Sequence, residues 1–190
     1  MQNAYTLRAF SHSKNLTFSA VFAALCCIGT LVIRIPLPNG YLNTGDVFVL
    51  FAGWCLGPLY GGVAAGVGSA LADIISGYAI YSPATFLIKG TTAVLAYFIC
   101  RLFKKLIKKE GFDFIPRLFS AMVGEGVMVL GYFLYECILY GYGGAAATVV
   151  GNLLQGGLCL TLAILVFSLL YPVRAVRNFF PALTPKNKTE

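Results

Sequence analysis

A run of 42 residues, Val47–Ile88, carries a single charged side chain, Asp73. As one continuous α-helix at 1.5 Å per residue it would extend about 63 Å, roughly twice the ~30 Å apolar core of a bilayer. The run must therefore fold back on itself, and the segment Gly57–Gly62 (GPLYGG) supplies the turn signal. An apolar run of this length is typical of two membrane crossings, so we expect a polytopic membrane protein.

The composition agrees with this interpretation. Of the 190 residues, 58% are hydrophobic and 11% are charged, and the mean hydropathy is +0.80. A soluble domain carries about 25% charged residues, so a soluble enzyme, a disordered protein and a nucleic-acid binder are all poorly supported. The net charge of +7 comes mainly from three basic zones beside apolar runs, as in topology signals. These zones are Arg8 with Lys14, residues 101–117 and residues 174–188.

Hydropathy, turn signals and the Ser82-Pro83 helix start predict an all-α membrane protein with one domain, a bundle of six transmembrane helices. The predicted helices cover about residues 16–34, 46–58, 61–77, 83–103, 118–140 and 147–171, and residues 174–190 form a polar cytoplasmic tail. Six spans place both termini and the 101–117 loop on the cytoplasmic side, together with all three basic zones. A cleaved signal peptide is the alternative for the first helix, but no convincing small-x-small cleavage site follows it.

Polar side chains inside the spans mark a candidate pocket, because an ionisable group costs about 2.5–3.5 kcal/mol to insert and needs a partner or a function. With six spans, polar groups from five helices fall in the outer half of the bundle: Asp46, Asp73, Lys89, Glu136, Asn152 and Gln155. Simpler roles stay open: Asp46 as a helix N-cap, Asp73 and Lys89 as an ion pair, and the two amides as interhelical hydrogen bonds. The nearby tyrosines form either an interfacial belt or a stacking surface for a planar ligand.

No sequence pattern for catalysis or metal binding is present. The single histidine is His12, the six cysteines lie in apolar runs without a C-x-x-C, and no P-loop motif occurs. We therefore predict no catalytic residue, no metal site, no cofactor and no enzymatic activity.

Small residues give two helices surfaces suited to close contact. Ala20 and Ala24 form an A-x-x-x-A face on the first helix, which serves either internal packing or a partner protein. The Gly- and Ala-rich segment 61–70 of the third helix favours packing within the bundle.

Several motifs follow one another in a recognisable order. They are Val32–Pro36 (VIRIP), Gly40–Asp46 (GYLNTGD), Gly57–Gly62 (GPLYGG), Gly68–Asp73 (GSALAD), Tyr81–Gly90 (YSPATFLIKG), Gly131–Glu136 (GYFLYE) and Gly151–Gln155 (GNLLQ). Over about residues 16–171 the chain resembles S components of energy-coupling-factor (ECF) transporters. The motifs are similar to those of members assigned to vitamin B6 or hydroxymethylpyrimidine, and some relatives carry a riboflavin label.

The resemblance implies a six-helix subunit of a bacterial plasma membrane that captures a small vitamin from outside. It also implies work with a transmembrane coupling protein, docked at Ala20 and Ala24, and with two cytoplasmic ATPases, while the loop 35–45 caps the ligand. We expect pyridoxine, pyridoxal or hydroxymethylpyrimidine as the ligand. The alternatives are a riboflavin-specific S component and a stand-alone proton-coupled carrier. The expected ligand-binding residues are Asn39, Tyr41, Asn43, Asp46, Thr85, Lys89, Tyr132, Glu136, Asn152 and Gln155.

Overall fold

The computed structural model describes residues 12–37, 40–107 and 114–173. These residues form five helices and one two-stranded sheet. The elements are α1 His12–Val32, β1 Arg34–Leu37, β2 Gly40–Asn43, α2 Gly45–Leu56, α3 Pro58–Ile75, α4 Ser82–Ile107 and α5 Phe114–Leu170. The predicted polar tail, 174–190, and Asn39 lie outside the described residues.

Four helices, α1, α3, α4 and α5, are long and apolar enough to cross a membrane. The fifth, α2, has 12 residues and is about 18 Å long at 1.5 Å per residue, shorter than a bilayer core. Ten of its residues are buried, so its neighbours surround it. The prediction of an all-helical membrane protein is thus confirmed at the level of its architecture.

The segment predicted as a ligand-capping loop, residues 35–45, holds all but the first residue of a β hairpin. Strands β1 and β2 pair antiparallel, with Arg34 opposite Asn43 and Pro36 opposite Tyr41. A proline is tolerated here because a two-stranded sheet has only edge strands, where a missing N–H can face away from the partner strand. The first helix accordingly ends at Val32, two residues before the predicted end.

A single glycine makes the turn between α2 and α3. Gly57 has φ +82°, a conformation that L residues with a side chain rarely adopt, and Pro58 follows at the start of α3. Because one residue completes the turn, α3 begins at Pro58 rather than at the predicted residue 61. The turn signal is thus confirmed, but the break predicted at about residues 59–60 lies at Gly57.

Helix α5 covers 57 residues and contains one non-helical residue, Gly141, with φ 72° and ψ 174°. The predicted loop at 141–146 was therefore wrong: residues 142–146 are helical, and the change of direction is confined to Gly141. A straight helix of this length would extend about 86 Å. The kink instead divides α5 into two parts, 114–140 and 142–170.

Small residues allow the helix backbones to approach one another closely. A Cβ added at Gly68 of α3 would collide with the carbonyl oxygen of Ala23 in α1. A Cβ added at Gly61 would collide in the same way with Ala52 of α2, and only a glycine fits at each position. The prediction that the Gly-rich segment of α3 packs inside the bundle is confirmed by these contacts.

Candidate functional site

The hairpin is fastened to the end of α3 by two polar contacts. Tyr41 on β2 donates from its hydroxyl to Asp73 Oδ1 at 2.8 Å, and Arg34 on β1 donates from a guanidinium nitrogen to Ser76 Oγ at 2.8 Å. Burial, reinforced by the nearby Asp73 carboxylate, raises the pKa of the Tyr41 phenol above its ordinary value. Tyr41 therefore keeps its proton and remains a donor at physiological pH.

A chain of buried polar groups runs beneath the hairpin. Lys89 Nζ on α4 lies 2.6 Å from Asp46 Oδ1 on α2, and Asp46 Oδ2 accepts from Gln155 Nε2 on α5 at 2.6 Å. Gln155 Oε1 in turn accepts from the backbone N–H of Asn43 on β2 at 2.9 Å. These four side chains are all at least nine-tenths buried. The chain links three helices to the hairpin without leaving either charge unpaired.

Two simpler interpretations from the sequence are corrected by these contacts. Lys89 pairs with Asp46 and not with Asp73, because Asp73 faces the hairpin tyrosine instead. Asp46 is not the helix N-cap: Thr44 holds that position without a side-chain cap bond, and Asp46 lies fully buried in the first turn of α2. The side chain of Asn43 accepts from the Gly45 N–H at 2.9 Å and so serves the start of α2.

A cavity of about 50 Å³ lies between the hairpin, the loop that joins α3 to α4, and both parts of α5. A water molecule needs about 10–15 Å³ by such a measure, so the cavity has room for roughly three to five waters. Every side chain that lines it carries a polar atom. The lining residues are Tyr41, Asn43, Tyr78, Tyr81, Tyr132, Glu136, Thr148, Asn152 and Gln155.

Glu136 is the carboxyl group in this lining. It accepts hydrogen bonds from the hydroxyl of Thr148 and from that of Tyr81, the latter at 3.3 Å. One turn earlier on the same helix, the hydroxyl of Tyr132 is bonded to that of Thr85 at 3.0 Å. The cavity wall therefore combines one acidic group with several hydroxyls and amides, which can donate to or accept from a polar ring substituent.

Tyrosine rings gather around Tyr81. Its ring centroid lies 6.3 Å from that of Tyr78, 6.5 Å from that of Tyr132 and 5.6 Å from that of Tyr135. The planes are tilted or perpendicular, so no two of these rings stand parallel as a ready-made sandwich for a planar ligand. The rings favour edge contacts with one another, an arrangement that stabilises aromatic clusters.

Six of the ten predicted ligand-binding residues line the cavity: Tyr41, Asn43, Tyr132, Glu136, Asn152 and Gln155. Asp46, Lys89 and Thr85 do not line the cavity. Asp46 bonds to Gln155 and Thr85 bonds to Tyr132, while the Lys89 ammonium lies 5.2 Å from the ring centroid of Tyr132. Asn39 lies outside the described residues. Three lining residues were not predicted, Tyr78, Tyr81 and Thr148. Thr148 shares a helix face with Asn152 and Gln155 at i, i+4 and i+7, and that spacing is the signal that points to it.

The predicted docking residues lie on the outside of the bundle. Ala20 and Ala24 of α1 are both exposed, whereas Phe22 and Cys26 on the other face of the same helix are buried. Exposed apolar side chains, among them Leu16 and Ile28, flank the two alanines. The small-residue face is thus open to solvent or to a partner and is not covered by the described part of this chain.

One buried carboxyl stands apart from these networks. Glu125, in the first part of α5, is 4% exposed, and neither of its oxygens has a hydrogen-bond partner among the described residues. It packs against Gly156 in the second part of α5, where an added Cβ would lie 3.4 Å from Oε2. Glu125 does not belong to the cavity lining.

The apolar helices and the buried polar site define a multi-pass membrane protein with a small cavity under a hairpin. Comparisons with known proteins show to which family of membrane proteins the chain belongs. The family model for "ECF-type riboflavin transporter, S component" matches residues 11–172. The chain therefore belongs to the ECF transporter S component family.

Individual proteins agree with that assignment. The solved S component of a bacterial ECF transporter has a TM-score of 0.62 and 23% identity, covering 89% of this chain and 98% of that one. At this identity the likeness shows a shared fold. An uncharacterised protein of Pyrococcus woesei is 39% identical over 130 residues, which cover 67% of this chain and 82% of the relative. The resemblance inferred from the ordered motifs is thus confirmed.

Proposed function

We propose that this chain captures a vitamin with a single hydroxylated pyridine or pyrimidine ring, such as pyridoxine, pyridoxal or hydroxymethylpyrimidine. The observation that carries the proposal is the cavity of about 50 Å³ beneath the hairpin, lined only by residues with polar side chains. A one-ring ligand with several short polar substituents matches such a lining, since each substituent finds a hydroxyl, an amide or a carboxyl.

The residues divide into two groups in this proposal. Glu136, Asn152 and Gln155 line the cavity and contact the ring substituents, while Tyr41 and Asn43 close it from the hairpin side. Asp46, Lys89 and Thr85 act from behind, since their polar atoms are already bonded to other protein groups. Asn39, outside the described residues, stays a predicted contact.

The position of the cavity supports capture from outside the cell. In the proposed topology, α5 crosses the membrane twice, once before and once after Gly141, and the chain has six spans with both termini in the cytoplasm. Lys104 and Lys105 in the last turn of α4 then lie on the cytoplasmic side, as the positive-inside rule expects. The hairpin and the cavity lie at the opposite end of α4, on the external side.

A transport function needs partners that supply ATP hydrolysis. We propose that the exposed face of α1 at Ala20 and Ala24 docks on the transmembrane coupling protein of an ECF module, which also carries two cytoplasmic ATPases. Small residues let a partner helix approach to backbone distance. Ala24→Leu is expected to prevent co-purification with the module while ligand affinity stays unchanged. Loss of ligand affinity in this variant contradicts the docking role, because it assigns Ala24 to internal packing.

Riboflavin is the second candidate ligand. The family description favours it, since the model that matches residues 11–172 is named for riboflavin transporters. Its three fused rings need more room than the cavity provides, so binding requires a larger displacement of the hairpin and the tyrosines than a one-ring vitamin does.

Native mass spectrometry of the purified full-length protein tests the proposal directly. A co-purified pyridine or pyrimidine vitamin, or titration with pyridoxine to a saturable signal, supports it. A bound flavin, with no response to pyridoxine or hydroxymethylpyrimidine, refutes it in favour of riboflavin. Reconstitution in liposomes separates the remaining alternative: uptake by this chain alone, without ATPases, indicates a stand-alone carrier.

A further inference from the structure

The cavity lining holds an acidic group and no basic one. Its nine residues comprise a carboxyl, four phenols, three amides and a threonine hydroxyl, within the part of the chain that the structure describes. A charged ligand in this cavity therefore meets the carboxyl of Glu136, with no ammonium or guanidinium group in the wall beside it.

The cations close to the site are engaged elsewhere. Lys89, 3% exposed, directs its ammonium to Asp46 at 2.6 Å, and that ammonium lies 5.2 Å from the ring centroid of Tyr132. Arg34 donates to Ser76 Oγ at 2.8 Å, and its guanidinium lies 5.7 Å from the ring centroid of Tyr41. Neither side chain belongs to the cavity lining. Lys89 thus neutralises the Asp46 carboxylate and not a ligand anion.

Glu136 keeps acceptor capacity for a ligand. A carboxylate offers about four lone-pair sites, and the protein fills two with the hydroxyls of Thr148 and Tyr81. Both donors are neutral, so they leave a negative charge at Glu136 uncompensated in a site that is 97% shielded from solvent, since Glu136 is 3% exposed. A ligand ammonium or a ring N–H supplies the charge-assisted bond that the protein lacks here.

We propose that Glu136 makes the site selective for ligands with a positively charged or N–H-bearing nitrogen and that the site rejects phosphorylated forms of the same vitamin. The inference rests on the proposed function, because it specifies which members of that ligand class bind. A phosphate group in this cavity meets Glu136 without a compensating cation, and like-charge contacts of this kind are strongly unfavourable.

The test compares matched ligands on the purified full-length protein by isothermal titration calorimetry. Pyridoxamine and pyridoxine differ by an ammonium in place of a hydroxyl, and pyridoxamine is expected to bind about tenfold or more tightly, as a bond to a charged group is the stronger one. Each 5′-phosphate is expected to bind about a hundredfold more weakly than its parent. Equal affinities within either comparison overturn the proposal, whatever the variants show.

Glu136→Gln keeps the size of the side chain and removes its charge. It is expected to bring the affinities for pyridoxamine and pyridoxine to about the same value, whatever the change in affinity common to both. The matched control is Glu125→Gln, a buried carboxyl on the same helix that does not line the cavity, which is expected to retain the preference. A preference that survives in Glu136→Gln, or disappears in the control as well, assigns the selectivity to another group.

Failure of the ligand class itself is distinguishable from failure of this inference. If no pyridine or pyrimidine vitamin binds but riboflavin does, the proposed substrate is wrong. The rejection of phosphate groups is then tested by comparing the affinities for riboflavin and riboflavin 5′-phosphate. Binding of riboflavin with rejection of the phosphate then supports an anion-excluding site. Equal binding of the two flavins overturns it.

Discussion

Replacing Lys89 by methionine tests whether the Lys89–Asp46 pair holds the junction of α2, α4 and α5. The two side chains are at most 4% exposed, and their charged atoms lie 2.6 Å apart. Methionine keeps much of the aliphatic stem but removes the ammonium, so Asp46 retains the Gln155 amide alone among the partners described above. The variant thus leaves a buried carboxylate without a counter-charge.

The expected cost follows from that burial. Removing one member of a buried ion pair typically costs about 3–5 kcal/mol, whereas replacing both members by uncharged residues is often close to neutral. Lys89→Met and Asp46→Asn should each lower the free energy of unfolding by about 3–5 kcal/mol. The double variant Asp46→Asn/Lys89→Met should lower it by less than either single substitution. The double-mutant cycle should therefore give a coupling energy above about 2 kcal/mol.

Trp54 provides the assay, because it is the chain's single tryptophan and is 2% exposed between Phe51 and Phe167. Its fluorescence during denaturant titration in detergent micelles reports unfolding of wild type and variants. Lys105→Met is the control, an exposed cation on the same helix that should change stability by less than about 0.5 kcal/mol. Additive effects of the two single substitutions, with no coupling, refute the reasoning.

Two further predictions use the same assay or a binding assay. Gly68→Ala should cost about 1–3 kcal/mol, because the added Cβ collides with the backbone of Ala23; Gly126→Ala, where nothing lies within 4 Å, should be neutral or stabilising, and equal costs at both sites contradict the packing argument. Tyr41→Phe removes the hydroxyl bond to Asp73 and should raise the ligand dissociation rate several-fold, as judged by stopped-flow fluorescence. An unchanged rate excludes that bond from closure of the hairpin.

Sequence patterns predict the helices and much of the cavity wall because both depend on local periodicity. The spacing of Asn152 and Gln155 places them on one helix face. A polar side chain inside an apolar span faces the bundle interior, because contact with lipid is costly. Glu136 follows by the same logic from the other part of α5. Helix spacing and the cost of exposing polar groups to lipid are therefore sufficient to predict that these residues lie in the bundle interior.

The partner of Lys89 could not be predicted from the sequence. Asp46 and Asp73 lie on two different helices at similar proposed depths, and only the rotation of α2 and α3 about their axes decides which carboxylate faces α4. That rotation depends on close backbone contacts between different helices, such as Gly61 against Ala52. Shifts of less than about 1 Å decide whether such contacts form, and the sequence does not determine positions to that accuracy. The hairpin was not predicted either, because a strand of four residues is too short to show a clear alternation of polar and apolar side chains.

Gln155 contacts the hairpin on one side and the Lys89–Asp46 ion pair on the other. The contacts on these two sides differ in strength, and the difference indicates which part of the structure moves when a ligand enters. A vitamin with a substituted ring is larger than the three to five waters for which the cavity has room, so the cavity must enlarge. The hairpin is joined to the helices by separate hydrogen bonds, among them those from Asn43 to Gln155, from Tyr41 to Asp73 and from Arg34 to Ser76. Each of these bonds contributes about 0.5–3 kcal/mol. Separating Lys89 from Asp46 costs more than any one of them. Movement of the hairpin over a fixed floor is therefore the less expensive route, and a ligand that displaces Asn43 takes over its bond to Gln155.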